Sequence, residues 1–165
     1  MSVIEQTLKA GETYARSFEF GALPMPPARH LAVLACMDAR ITVEQILGLK
    51  TGDAHIIRNA GGILTEDALR SVLISHYLLG KRELMLIHHT DCGMLTFKDE
   101  DLAARLRKQS GVAAVAPARF HAFTDLDEDV RQQIEKAKSH PWFPRDMPVR
   151  GFVYDVRTGK LREVK

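Results

Sequence analysis

The sequence has little of what marks several specialised protein classes. It contains two cysteines in 165 residues, too few for a scaffold stapled by disulfides. No stretch approaches the roughly 18 consecutive apolar residues of a membrane helix, and Glu5, Lys9 and Glu12 interrupt any signal-peptide core near the start. The formal net charge of +2 is too small to indicate nucleic acid or an anionic membrane as a partner. We therefore expect a cytoplasmic protein with no nucleic-acid or membrane partner.

Length and composition are those of an ordinary globular domain. A chain of 165 residues with 45% hydrophobic and 27% charged residues can bury a core of its own. We find no internal repeat, low-complexity tract or shift in composition that would mark a boundary. Residues 1–165 are therefore predicted to form a single domain.

Three short apolar runs each end in a polar loop: LAVLAC at 31–36, AHII at 54–57 and LMLI at 84–87. Such runs are typical of buried strands in a parallel sheet. Between them, Thr42 and Gln45 have the spacing of a capping box, and Thr65 begins a longer helical pattern that stops near Gly80. Alternating strands and helices predict right-handed crossovers with helices on both faces of the sheet.

The two ends of the chain complete the predicted fold. Residues 2–17 have the pattern of an amphipathic helix, and the prolines of PMPP at 24–27 favour an extended segment that could lie on a partner subunit. Near the other end, a helix around 127–138 precedes GFVYDV, a TGK turn and LREV. The predicted class is α/β: a parallel central sheet in the order 2-1-3-4, flanked by helices, with a C-terminal hairpin strand and an N-terminal helical arm.

Cys36, His89 and Cys92 form the strongest candidate site. Alone, a cysteine at the end of an apolar strand is usually a small buried hydrophobe. In a parallel sheet, however, ligands bind at the carboxyl edge where crossovers diverge, so neighbouring first and third strands would bring the three side chains together. Two thiolates and one imidazole suit tetrahedral zinc and leave a fourth position for water, as a catalytic site requires.

Asp38 and Arg40 follow Cys36 closely and would lie beside such a metal. Arg40 could keep Asp38 ionised and oriented, and Asp38 could accept a hydrogen bond from a zinc-bound hydroxide. The alternative is an ordinary salt bridge in a surface loop. Without Cys36 as a neighbour, the second interpretation would be favoured.

Three motifs together resemble the β-carbonic anhydrase family. CMDAR at 36–40 matches its C-x-D-x-R motif, RNAG at 58–61 its R-N-A-G segment, and HTDCG at 89–93 its H-x-x-C-G motif. The likeness extends over nearly the whole chain, and the short length resembles the compact actinobacterial and archaeal-like members.

The resemblance implies an enzyme, a zinc lyase that reversibly hydrates CO2 to bicarbonate and a proton. It implies one Zn2+ per subunit on Cys36, His89 and Cys92, with Asp38 and Arg40 as the catalytic dyad. In a closed state of some relatives this aspartate becomes the fourth zinc ligand. It also implies an obligate homodimer or a higher homo-oligomer.

Two further residues are candidates for substrate binding. Gly93 could offer its backbone amide to a substrate oxygen. Arg58 could bind an anion or fix its own loop, and the glycines after it are typical of tight turns or close packing. We favour the loop-fixing role for Arg58.

Two other functions remain open at this point. Carbonyl sulfide and carbon disulfide are linear apolar electrophiles like CO2, so the same ligand set could serve their hydrolysis. A non-catalytic zinc module is the other alternative, although a purely structural site has no need of Arg40.

Overall fold

One five-stranded sheet organises the part of the chain that the structure describes. The computed structural model describes residues 1–113, 117 and 119–165, and its strands lie in the order β2-β1-β3-β4-β5. The first four strands are parallel and β5 runs antiparallel to β4, which confirms the predicted order and the terminal hairpin. The strands are β1 (Leu31–Cys36), β2 (Ala54–Asn59), β3 (Glu83–His89), β4 (Val149–Tyr154) and β5 (Leu161–Val164).

The described residues include five α-helices: α1 (Val3–Arg16), α2 (Val43–Leu47), α3 (Glu66–Tyr77), α4 (Asp99–Ser110) and α5 (Leu126–Ser139). The helix α4 was not predicted from the sequence, because charged residues outnumber apolar ones in DEDLAARLRKQS. Its acidic first turn and the left-handed Gly111 after its last turn were the signals that could have revealed it. None of the helices in the described part of the chain is suited in length and apolar character to crossing a membrane.

The capping box predicted at Thr42 is wrong. Thr42 is the N-cap of α2, but its side chain makes no capping hydrogen bond. Its ψ of 94° differs from the 171° of Thr65, whose hydroxyl does cap α3 by accepting from the Ala68 amide. The backbone of Thr42 therefore does not direct its hydroxyl at the first-turn amides.

Two apolar clusters cover the two faces of the sheet. Ala32 and Leu34 of β1 pack with Ala68 and Val72 of α3 on one face. The alternate residues of β1 pack on the other face, with Val43 of α2 among their neighbours. Burial on both sides makes β1 a rigid central strand, and its carboxyl end is fixed as a platform for the loop that follows.

Lys81 is an unusual member of this core, because its side chain is completely buried. Its Nζ donates to Met147 Sδ at 3.0 Å and lies 4.8 Å from the centre of the Phe143 ring. Burial lowers the pKa of Lys81 to about 8. A protonated lysine here therefore costs stability at neutral pH.

We expect Lys81→Met to raise the free energy of unfolding by about 1 to 2 kcal/mol at pH 7, because no charge then needs to be desolvated. Between pH 8 and about 10.4 the folded lysine binds fewer protons than the unfolded one, so the wild type gains stability as pH rises and the difference shrinks. Urea unfolding at pH 7 and pH 10 measures this, with the exposed Lys108→Met as control. An undiminished difference at pH 10 would contradict the explanation.

Candidate metal centre

The sheet brings the three predicted metal ligands together. β1 and β3 are parallel neighbours; Cys36 ends β1, His89 ends β3, and Cys92 lies in the loop after β3. All three side chains are buried, and their ligand atoms lie within 4.8 Å of one another. The adjacency of the first and third strands, expected from the sequence, accounts for this cluster.

The imidazole of His89 is held ready for a metal ion. Its Nδ1 lies 2.9 Å from the carbonyl oxygen of Thr90, and because a carbonyl only accepts, Nδ1 carries the proton and donates it. The buried Nε2 has no hydrogen-bond partner among the described residues. A buried ring nitrogen without a partner, beside two sulfurs, indicates a metal-binding site. The sulfur and nitrogen donors fit Zn2+.

The thiol of Cys36 is prepared for the same role. The neighbouring Cys92 thiol, His89 and backbone groups lower the pKa of Cys36 well below its ordinary value, although burial opposes the shift. One of the backbone donors is the Gly61 amide, 3.3 Å from Cys36 Sγ. The thiolate that a metal needs is thus favoured by the surrounding protein.

Arg58 points at backbone carbonyls. Its Nε and Nη2 donate to the carbonyl oxygen of Cys36 at 3.1 and 2.9 Å, and Nη2 also donates to that of Asp38 at 2.7 Å. These contacts fix the loop that carries Cys36 and Asp38. They support the loop-fixing interpretation of Arg58.

Gly62 lets the loop after β2 approach the ligand strand closely. It has φ of +71°, and a Cβ built on it would lie 3.0 Å from both the Cys36 nitrogen and the Ile87 oxygen. Both neighbours are backbone atoms of a buried sheet and have little freedom to move. The glycines in this segment therefore serve positive φ and close packing, as their type predicts.

We expect Gly62→Ala to lower the free energy of unfolding by about 3 kcal/mol, because it combines an unfavourable φ with an overpacked contact. Gly48→Ala is the matched control, since Gly48 has φ of +61° but open space around its Cα; it should cost only about 1 kcal/mol. Chemical denaturation of the metal-free proteins compares them. Equal losses in the two variants would show that the close approach is unimportant.

Asp38 and Arg40 form a two-point ion pair beside the cluster. Arg40 Nε donates to Asp38 Oδ1 at 2.9 Å and Nη2 donates to Oδ2 at 2.8 Å. These hydrogen bonds hold the pKa of Asp38 far below its ordinary value. Asp38 Oδ2 is 3.8 Å from the unpartnered Nε2 of His89, so an ionised carboxylate faces the metal position.

Asp91 is a further contact of this pair that the sequence analysis did not identify. Arg40 Nη1 donates to Asp91 Oδ2 at 2.8 Å, and Nη2 donates to the Asp91 carbonyl oxygen at 3.0 Å. Its place between two candidate ligands in the HTDCG motif was the available signal. Gly93, by contrast, opens a 3-10 turn, Gly93–Leu95, directly after Cys92, and has open space beside its Cα.

Comparison with known proteins identifies the family. The family model for carbonic anhydrase matches residues 31–161. The chain is also 46% identical over 164 residues to β-carbonic anhydrase 1 of Mycobacterium tuberculosis, covering 99% of each protein. The chain belongs to the β-carbonic anhydrase family. This confirms the resemblance carried by the three motifs.

Other relatives of this β-carbonic anhydrase agree in fold and widen the chemistry to be considered. The crystal structure of carbonic anhydrase from Streptococcus mutans has a TM-score of 0.94 at 41% identity, covering 100% of this chain and 99% of that one. A carbon disulfide hydrolase from Acidianus sp. (strain A1-3) is 36% identical, covering 97% of this chain and 88% of the relative. β-Carbonic anhydrases use zinc, and the cluster of Cys36, His89 and Cys92 has the donors to hold it.

Proposed function

We propose that the chain catalyses the reversible hydration of CO2 to bicarbonate and a proton. Cys36, His89 and Cys92 hold one Zn2+, and Asp38 with Arg40 orients the attacking water. The observation that carries this proposal is the position of the ionised Asp38 carboxylate. Arg40 donates hydrogen bonds to it, and its Oδ2 lies 3.8 Å from the unpartnered Nε2 of His89. An ordinary ion pair in a surface loop would not be expected to lie beside three buried ligand atoms.

Each residue has a distinct part in the reaction. Zinc, when bound, supplies a Lewis acid that lowers the pKa of a coordinated water toward neutrality. Asp38 accepts the hydrogen bond of the nucleophile and so turns a lone pair toward the substrate. Arg40 keeps Asp38 ionised and fixes its plane, and the Gly93 amide donates to a substrate oxygen.

Asp38 has a second role in a closed state. Its Oδ2 lies close enough to the ligand cluster to become the fourth metal ligand. To take that position Asp38 would have to part from Arg40, and it would have to return to Arg40 before water could enter. Substrate turnover thus depends on how the dyad is held.

Stopped-flow CO2 hydration by the zinc-loaded protein tests the proposal. We expect a rate that rises between pH 7 and pH 9, as the nucleophile loses its proton. Hydration no faster than in buffer across this range would refute it.

Hydrolysis of carbon disulfide or carbonyl sulfide is the second candidate. It is favoured by the 36% identity to the Acidianus hydrolase, but the mycobacterial carbonic anhydrase is more similar at 46%. Release of hydrogen sulfide from either substrate, assayed beside CO2 hydration, decides between them. A non-catalytic zinc module is less well supported, because it would not need Arg40 beside the metal.

We also propose that residues 1–165 form one domain that works in the cytoplasm. Core residues from Ala32 to Val164 belong to clusters built on the same sheet, which supports one folding unit. Two thiolate ligands are best preserved in a reducing compartment.

The exposed apolar side chains of α1 are the basis for proposing a homodimer. This helix of 14 residues buries none of them, yet Val3, Ile4 and Leu8 are large apolar residues exposed by 74, 71 and 65%. So short a helix is marginal alone in water, and an uncovered apolar stripe indicates a binding partner. A second copy of the chain is the partner that the family resemblance implies.

We expect Leu8→Glu to convert the dimer to monomer, because the substitution puts a charge into the buried stripe. Gln6→Glu is the matched control, since a residue two positions away lies on the opposite side of a helix. Light scattering on the two variants measures their mass. A dimeric Leu8→Glu protein would contradict this interface.

A further inference from the structure

We infer that Asp91 is a positioning residue for the reaction: it holds Arg40, and through Arg40 it sets the orientation of the Asp38 carboxylate. The inference rests on the proposed function and adds a third member to the Asp38–Arg40 pair. Asp91 itself need not touch substrate or metal.

The contacts make Arg40 a bridge between two loops. On one side it holds both carboxylate oxygens of Asp38 in the loop after β1. On the other it donates to the side chain and the carbonyl oxygen of Asp91, in the loop after β3. The guanidinium is therefore hydrogen-bonded to both loops that carry the proposed metal ligands.

The backbone of Asp91 is shaped for this double contact. It has φ of +57°, in the left-handed region, where aspartate and asparagine occur more readily than other residues with side chains. In this conformation the carbonyl and the carboxylate of one residue both meet the same guanidinium. The strain is local to a loop between two ligands, as expected where a fixed geometry matters.

Solvent exposure explains why Asp38 alone would not suffice. The side chain of Arg40 is 46% exposed, and that of Asp38 is 19% exposed. A single exposed ion pair holds its geometry weakly, whereas a network with two-point contacts restrains it. Without Asp91, Arg40 and Asp38 could swing together away from His89.

Removal of the carboxylate tests the inference. We expect kcat/KM for CO2 hydration to fall about tenfold in Asp91→Gly and Asp91→Ala, because a misplaced orienting group slows the reaction without blocking it. Asp91→Asn should stay within about twofold of wild type, since its amide oxygen still accepts from Arg40 and asparagine tolerates the backbone conformation. The Asp91→Gly variant separates loss of the carboxylate from backbone strain, because glycine adopts a positive φ without cost.

Asp127→Ala is the matched control. Asp127 forms a two-point pair with Arg162, with both distances 2.7 Å, away from the metal centre. Losing this pair should leave kcat/KM and zinc content unchanged. Zinc content and melting temperature are measured for every variant.

A second measurement does not depend on the metal or on activity. Phenylglyoxal modifies accessible arginines, and peptide mass spectrometry locates the modified residue. In metal-free protein, Asp91→Gly should accelerate modification of Arg40 about threefold or more, because the guanidinium loses its carboxylate contact at residue 91 and keeps only the backbone carbonyl there, while Asp91→Asn and Asp127→Ala should not. If the wild type lacked CO2 hydration, the proposed function would fail while this readout still reported on Asp91.

Two results would overturn the inference. One is unchanged kcat/KM together with unchanged modification of Arg40 in Asp91→Gly. The other is a loss of activity that follows loss of zinc in proportion, which would make Asp91 a structural residue of the ligand loop.

Discussion

Cys92→Ser is expected to abolish zinc binding and CO2 hydration together, leaving under about 1% of the wild-type rate. The serine hydroxyl stays protonated at neutral pH and is a poor zinc ligand, so two donors would remain where three are needed. Metal analysis of purified protein and stopped-flow hydration on the same sample measure both quantities.

Thr96→Ser in the same loop is the control for this substitution. Its hydroxyl donates to the Gly93 carbonyl, a bond that serine can keep, and it lies outside the ligand cluster. We expect normal zinc and normal activity. A Cys92→Ser protein with one zinc per chain would show that Cys92 is not a ligand.

Asp38→Asn is expected to separate metal binding from catalysis. Zinc content should remain near one per chain, because the three ligands are untouched, while kcat/KM falls by about 100-fold or more. The asparagine amide carries no charge, and it can turn its NH2 group toward the nucleophile. The orienting hydrogen bond is then lost. Stopped-flow hydration with parallel metal analysis measures the effect.

A matched control is Asp67→Asn, which alters an exposed aspartate paired with Arg70 on α3. It should leave both quantities unchanged. The kcat/KM of Arg40→Lys should lie between those of the wild type and Asp38→Asn, because an ammonium lacks the planar pair of donors that holds both carboxylate oxygens. Full activity in Asp38→Asn would remove the dyad from the mechanism.

The sequence predicted the ligand cluster because its geometry follows from topology. Cys36 and His89 are far apart in the chain, but each ends a parallel strand, and β1 and β3 are neighbours. Parallel strands share one carboxyl edge, so side chains at their ends meet. Apolar runs ending in polar loops indicated the strands, and the supposition that the first and third strands are neighbours brought the three side chains together.

Other contacts could not be predicted because they depend on loop conformation. Asp91 reaches Arg40 through a left-handed φ, and the loop-fixing role expected for Arg58 did not specify its partners, the carbonyl oxygens of Cys36 and Asp38. Neither feature leaves a periodic pattern in the sequence. The helix α4 escaped prediction for a different reason, because charged residues outnumber apolar ones in its sequence.

Contacts within the chain shape the ligand cluster before any metal binds. Cys92 and other neighbouring groups already lower the pKa of Cys36 and favour its thiolate, and Thr90 already fixes the tautomer of His89. The centre is therefore preorganised by the chain, and little rearrangement should accompany metal binding.

The most direct test of the central claim is a zinc titration of the metal-free protein, with CO2 hydration measured at each addition. We expect the rate to rise in proportion to bound zinc and to level off at one zinc per chain, while Asp38→Asn binds the same zinc without gaining comparable activity. Activity that is independent of zinc, or a fully loaded wild type that does not hydrate CO2, would contradict a catalytic zinc centre on Cys36, His89 and Cys92.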